Sequence, residues 1–238
     1  MRNFLLYLLA CLFSVPASAA DIPFFLPYPK IDTGRWQISN GWSNGSYMSC
    51  EWRADAVTVH DDNLLLTLSD RGDKLRPYAC PEIHTKSTSG YGTYSARIRT
   101  AAGSGLNTTF FTYVGPGVGA AIHDEIDFEF LGKDTHSVQL NYYVDGKPQD
   151  GTIIQLDFDA SAAFHDYSFT WETSKIRWYV DGKLVHETKE NSPLPSHPGR
   201  IYLSLWSGSK EEDDWLGKFT YTAPISAEFS SVKYTPLP

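Results

Sequence analysis

Basic residues are scarce and scattered: 20 lysines and arginines stand against 28 aspartates and glutamates, a formal charge of −8 with no cationic cluster. A nucleic-acid partner is not expected, because holding a phosphate backbone needs a positive patch that releases counterions. No window of about a dozen residues carries a helical apolar period, which removes helix-rich classes and the βα alternation of parallel sheets. Internal repeats, linkers and low-complexity stretches are also missing, so a single domain is expected over residues 21–238. The seven histidines show no metal-ligand spacing such as His-Glu-x-x-His, and no metal centre is expected from them. Gly41-Trp42-Ser43-Asn44-Gly45 fits the Gly-x-Ser-x-Gly pattern of serine hydrolases, but that pattern has meaning only at a strand-to-helix elbow, and this chain offers none. Sequons at Asn44 and Asn107 act only in a host that glycosylates them.

Long apolar runs are confined to the N-terminus, where Met1-Arg2-Asn3 leads into Phe4 to Val15 and then into Pro16-Ala17-Ser18-Ala19-Ala20. The run is too short to span a bilayer. With small residues at its end it reads as a secretory signal, residues 1–20, so the protein is expected to be secreted, with no membrane partner. Leu8-Leu9-Ala10-Cys11 loosely resembles a lipoprotein signal, but the apolar residues beyond Cys11 and the later cleavage site favour release. Of three cysteines, Cys11 leaves with the signal. Cys50 and Cys80 remain as an even pair in an oxidising compartment and are expected to form one disulfide.

Apolar residues recur with period two in Leu64-Leu66-Leu68, Tyr94-Ala96-Ile98, Val138-Leu140-Tyr142 and Phe169-Trp171, separated by Gly, Pro, Asn and Asp clusters. These are strands, and many short strands without helices between them predict an antiparallel β-sandwich. Asp181-Gly182 predicts a tight hairpin between 176–180 and 184–187, because both residues tolerate the positive φ of such a turn. A longer hairpin is expected to turn through Asp145 to Gly151, and a short turn of helix over Asp159 to Phe164. Aromatic residues make up 14% of the chain and include seven tryptophans, more than a core this size requires. Such rings suit sugars, since a ring can lie on the C–H face of a pyranose while Tyr and Trp keep a polar tip.

The most informative segment is His123-Asp124-Glu125-Ile126-Asp127-Phe128-Glu129-Phe130-Leu131-Gly132, with acids and large apolar residues alternating from Glu125 to Phe130. In a strand, Glu125, Asp127 and Glu129 share one face and Ile126, Phe128 and Phe130 the other. The two Glu Cα atoms lie about 13 Å apart at the usual strand rise, and side chains leaning over the shorter Asp can approach the roughly 5 to 5.5 Å of a retaining glycosidase pair. Crowded carboxylates cannot all ionise, so one keeps its proton. Alternation by itself is equally compatible with an exposed acidic face or a calcium site.

Glu-Ile-Asp-Phe-Glu-Phe-Leu-Gly resembles the active-site signature of glycoside hydrolase family 16. Gly41 to Gly45, Phe110-Phe111-Thr112-Tyr113, Asn141-Tyr142-Tyr143, Trp178 to Gly182 and Asp213 to Gly217 resemble segments of bacterial lichenases in the same order, over nearly the whole mature chain. The resemblance implies a concanavalin-like jelly roll with a concave cleft and a polysaccharide substrate carrying β-1,3 and β-1,4 bonds. It implies Glu125 as nucleophile, Glu129 as acid/base and Asp127 assisting between them. Substrate contacts are implied at Asn44, Glu82, Phe111, Tyr113, Asn141, Tyr143, Trp206 and Trp215. Three positions depart from the pattern: His123 replaces a Trp, His84 an Arg and Ser204 an Asn. All three face sugar in the family, so a bacterial exopolysaccharide of the succinoglycan type competes with mixed-linkage glucan as substrate. No cofactor is required; the family's structural calcium uses an Asp where this chain has Ser230, which argues against that ion. A monomer is expected.

Overall fold

The structure is a computed structural model that describes residues 30–73, 75–115, 122–149 and 151–237, with the backbone of 24–26. The expected signal, residues 1–20, and Cys11 lie outside the described residues. Two antiparallel sheets carry the fold, with strands labelled along the chain. One runs β16 (Lys183–Glu187), β15 (Ile176–Val180), β14 (His165–Trp171), β8 (Gly92–Arg99), β18 (Ile225–Pro236), β5 (Asn63–Leu68) and β4 (Val57–His60), with β1 (Phe24–Leu26) also on β18. The other runs β12 (Lys147–Pro148), β11 (Ser137–Val144), β10 (Asp124–Leu131), β9 (Leu106–Val114), β17 (Arg200–Ser207), β7 (Glu82–Thr85) and β2 (Trp36–Ile38), with β13 (Thr152–Gln155) also on β11. A short parallel pair, β3 (Cys50–Trp52) and β6 (Tyr78–Cys80), flanks them. Among the described residues no helix is long and apolar enough to cross a membrane.

The period-two runs form the inner faces. Leu64, Leu66 and Leu68 are buried, as are Tyr94, Ala96 and Ile98, and the residues between them are not. Across the core, Phe128 meets Tyr167 and Phe169 at ring-centre distances of 5.7 and 6.5 Å, and Phe130 meets Tyr167 at 4.6 Å. Burying each such ring is worth roughly 1.5–3 kcal/mol, so the apolar half of the alternation fixes β10 against the first sheet. Trp178 Nε1 adds a hydrogen bond from β15 to the Asp127 carbonyl, 3.2 Å.

Turns follow their residues, with two corrections. Asp181 and Gly182 have φ of 48° and 75°, the tight hairpin expected. The hairpin after β11 turns earlier than expected, at Asp145 and Gly146 (φ 49° and 74°), and the chain pairs again with β11 at β12 and then β13. No helix forms over Asp159 to Phe164. A single backbone turn, Ala162 N to the Asp159 carbonyl at 3.1 Å, forms there and does not continue, while the Asp159 carboxylate accepts from Ser161 N and Oγ at 2.8 and 2.7 Å. The helix that does form, α1 (Asp213–Leu216), is a single turn too short to show a period.

Cys50 and Cys80 are bonded, with Cα atoms 5.7 Å apart. The bridge ties β3, and the loop before it, to β6 directly ahead of Glu82 on β7. Four of the tryptophans, Trp36, Trp52, Trp171 and Trp178, are fully packed in the core. Replacing both cysteines by Ser is expected to lower stability by about 3 kcal/mol, since the bridge closes a loop of 30 residues. Urea unfolding of the two proteins measures it; equal midpoints and slopes would show that the bridge does not stabilise the fold.

Candidate active site

The second sheet turns its other face away from the core, and β10 supplies its centre. Glu125, Asp127 and Glu129 alternate with buried Ile126, Phe128 and Phe130. Register sorts their neighbours into rows. Glu125 lies between Tyr113 and Tyr143, Asp127 between Phe111 and Asn141, and Glu129 between Thr109 and Gln139. Two rows continue across β17 and β7: Phe111 to Tyr202 to His84, and Thr109 to Ser204 to Glu82. Trp206 stands opposite Asn107 in a further row.

Three carboxyl groups so close divide their protons. Burial pushes Asp127 well above the usual carboxylate range, and the charges of Glu125 and Glu129 and a hydrogen bond to Glu125 add to this. Asp127 therefore keeps its proton and donates it to Glu125. Burial, followed by the charge of Glu125, raises Glu129 to about 8, against the opposing pull of a hydrogen bond from Asn107. Asn107 is fully buried, with Nδ2 at 3.1 Å from Glu129 Oε1. Its Oδ1 has no hydrogen-bond partner among the described residues. Glu125 in turn meets His123, whose Nε2 lies 2.8 Å from Oε2.

The rest of the face is aromatic and hydroxylated. Tyr202 stacks on Phe111 (5.0 Å, 20°) and on His84 (4.8 Å, 30°). His84 Nδ1 lies 3.0 Å from the Thr85 carbonyl, and burial lowers its pKa, so the ring is neutral with Nδ1–H donating. Burial raises Glu82 to about 7 although Ser39 Oγ donates to it at 2.5 Å. The Ser204 hydroxyl pairs with that of Thr109 at 2.6 Å. Asn141 bonds the Tyr143 phenol, which burial and the carboxylates push up to about 12.

Trp206 faces Tyr47 edge-on at 5.8 Å and Trp215 at 6.0 Å. Trp215 Nε1 donates to Gln139 Oε1 at 2.9 Å. Asn44 Oδ1 accepts from Trp52 Nε1 at 2.7 Å, and Asn44 also bonds Tyr47.

The face thus gathers all eleven substrate-contact candidates around or beside the trio. It also brings in Tyr47, Gln139, Tyr202 and Asn107, and Trp42, an exposed indole edge-on to Trp52, borders the loop that carries Asn44. Sequence reading missed these five, because their place depends on cross-strand register and loop path. Of these, Asn107 had been noticed only as a sequon and Trp42 only within the Gly41 to Gly45 segment.

The rim is fixed by Asp124. Its Oδ2 accepts from Ser196 N, His197 N and His197 Nδ1 at 2.8, 3.0 and 2.9 Å, and its Oδ1 from Asp145 N at 3.1 Å. Burial alone would raise its pKa, yet these donors hold it below the ordinary value. Asp124, Asp145 and His197 place ligand atoms within 4.8 Å of one another, but oxygens already engaged by four N–H bonds mark a loop clamp. Ser230 lies where the pairing of β18 with β8 shifts register, and the nearby Glu228 is paired with Arg99.

Comparison with known proteins agrees with this geometry. Residues 44–223 match the family described as glycosyl hydrolases family 16. The chain is 43% identical over 208 residues to the endo-1,3-1,4-beta-glycanase ExoK of Rhizobium meliloti (strain 1021), covering 87% of this chain and 77% of that one. It is 42% identical over 224 residues to a beta-glucanase of Paenibacillus polymyxa, covering 94% and 91%. A crystal structure of a prokaryotic beta-1,3-1,4-glucanase (lichenase) from a mouse hindgut metagenome superposes with a TM-score of 0.84 at 38% identity, covering 90% of this chain and 99% of that one. The extent of these matches, which include the strand that carries Glu125, Asp127 and Glu129, shows that the chain belongs to glycosyl hydrolase family 16.

Proposed function

We propose that the protein is an exported endo-β-glycanase that hydrolyses internal bonds of a β-1,3/β-1,4-linked polysaccharide with retention of configuration. The division of protons along β10 carries the reading. Glu129 holds a proton up to about pH 8, while Glu125 accepts hydrogen bonds from its neighbours, the two states that a two-step displacement requires. Glu125 attacks the anomeric carbon as Glu129 protonates the departing glycosidic oxygen. Water then enters, gives its proton to Glu129 and releases the sugar from Glu125. Asp127, protonated between them, steadies Glu125 by its hydrogen bond and limits the charge that Glu129 feels. The rings of Trp206 and Trp215 suit pyranose stacking, while Phe111, Tyr202 and His84 stack on one another and turn their edges to the face. The relatives' names support β-1,3/β-1,4 linkages. The ExoK match and the replacements at His84 and Ser204 support a bacterial exopolysaccharide beside mixed-linkage glucan. Cleavage products from lichenan, barley glucan, laminarin and bacterial exopolysaccharides separate these substrates.

NMR of the first-formed product is expected to show the β-anomer before mutarotation, and an α-anomer would end the assignment of Glu125 as nucleophile. Glu125→Ala should lower turnover of every substrate to background. Glu129→Ala should spare substrates whose leaving group needs no proton, with azide rescuing it as a β-glycosyl azide. Separately, kcat/KM should fall as pH rises through about 8, where Glu129 loses its proton. Because Asn107 favours the charged form of Glu129, Asn107→Val should move that alkaline limb to higher pH, by about one unit for a lost hydrogen bond of roughly 1.4 kcal/mol. A limb that stays in place or moves down would separate Asn107 from the acid.

A further inference from the structure

The roles given to the carboxylates leave a buried imidazole on one of them without a task. His123 is 1% exposed, and its Nε2 lies 2.8 Å from Glu125 Oε2. Its ring is held on two sides, stacked on Tyr143 at 5.0 Å and 12° and met by the edge of Tyr113 at 5.1 Å and 69°. Both phenols, from β11 and β9, are pushed up to about 12 and are neutral. Among the described residues, the carboxylate within hydrogen-bond reach of the ring is Glu125 on its own strand. The backbone is equally fixed. Gly146 N donates to the His123 carbonyl at 2.8 Å. Gly115, at φ +125°, packs so closely that a Cβ there would come within 2.8 Å of His123 Cα. Next along the chain, Asp124 is clamped by its four N–H bonds.

We propose that His123 is a positioning residue for Glu125, its Nε2–H donating to Oε2 so that Oε1 is presented to the anomeric carbon. This rests on the retaining reading above. In the first step an Oε1 lone pair forms the bond to the anomeric carbon as the glycosidic bond breaks, Glu129 gives its proton to the leaving oxygen, and Glu125 loses its charge. In the second, a water oxygen takes the anomeric carbon, Glu129 takes the water's proton, and the electrons of the ester bond return to Glu125. His123 keeps its proton throughout. A donor on Oε2 stabilises the carboxylate more than the ester, so it favours the second step, where charge returns; in the first step its electronic effect opposes the loss of charge and is offset by the orientation it gives Oε1.

This asymmetry gives a kinetic signature. On an aryl β-oligosaccharide with an activated leaving group, kcat reports deglycosylation and kcat/KM reports glycosylation. His123→Phe keeps a ring between the tyrosines and removes the donor. Its kcat is expected to fall about tenfold or more, the effect of losing a charge-assisted bond, with kcat/KM held within about threefold and KM falling in step. The glycosyl-enzyme should then accumulate and appear as added mass on the intact protein. His123→Gln, which restores an N–H, should recover much of kcat. A Phe variant with wild-type kcat, or with kcat/KM reduced as far as kcat, would overturn the proposal. Should the Phe variant not fold, ¹⁵N NMR of the imidazole in the wild-type enzyme decides, since an Nε2 without a proton overturns the proposal equally. An α-anomer from the wild-type enzyme would instead overturn the retaining reading beneath it.

Discussion

Carboxyl groups on alternate residues of one strand repel, and the structure depends on how that repulsion is settled. Three large apolar side chains on the other face commit β10 to the core, so the strand cannot rotate its acids into water to relieve it. The remaining response is protonation. Asp127 and Glu129 hold protons against the charge of Glu125, and each of the outer two receives its own polar partner, His123 for Glu125 and Asn107 for Glu129. A pattern with period two thus becomes a set of distinct acid–base states, because the neighbours on β9 and β11 differ at each rung.

Such a division is useful only if the rungs stay in place, and the supports lie outside the strand. Asp124 fastens the loop at 196–197 and the turn at 145–146 to the start of β10. The Cys50–Cys80 bridge fastens the segment bearing Asn44 and Tyr47 to the approach to Glu82. Trp178 reaches through the core to the carbonyl of Asp127 itself. Interactions that stabilise the sandwich therefore also set the distances on its open face, and losing one is felt in both.

How much of this was legible in the chain depended on the range of the interaction. Strands with a buried face showed themselves by period two, and Asp181-Gly182 declared its turn because glycine makes positive φ inexpensive. The turn at Asp61-Asp62 (φ 49° and 60°) was silent, since two aspartates without glycine look like any exposed acidic pair. The trio on β10 was readable from alternation and its chemistry from resemblance. Asn107, Tyr202 and Gln139 were not, because they reach the face through register with β10 and β17. Register between distant strands is fixed by packing of whole faces rather than by local residue choice. Tyr47 and Trp42 arrive from a loop whose path is set by a disulfide and by the Trp52–Asn44 bond.

The departures from the lichenase pattern act together once placed on the face. Arginine at 84 would bring a fixed cation and a fork of donors; His84, made neutral by burial and tied by Nδ1–H to Thr85, brings a flat ring that continues the Tyr202–Phe111 stack. Asparagine at 204 would bring an amide able to donate and accept; Ser204 spends its hydroxyl on Thr109. Both replacements lie on rows running outward from Asp127 and Glu129, so one side of the face carries fewer directional donors than the lichenase pattern implies. The replacement at 123 differs in kind, since its imidazole meets the carboxylate of Glu125. The same three replacements that thin the donors on the outer rows thus place a polar partner on Glu125.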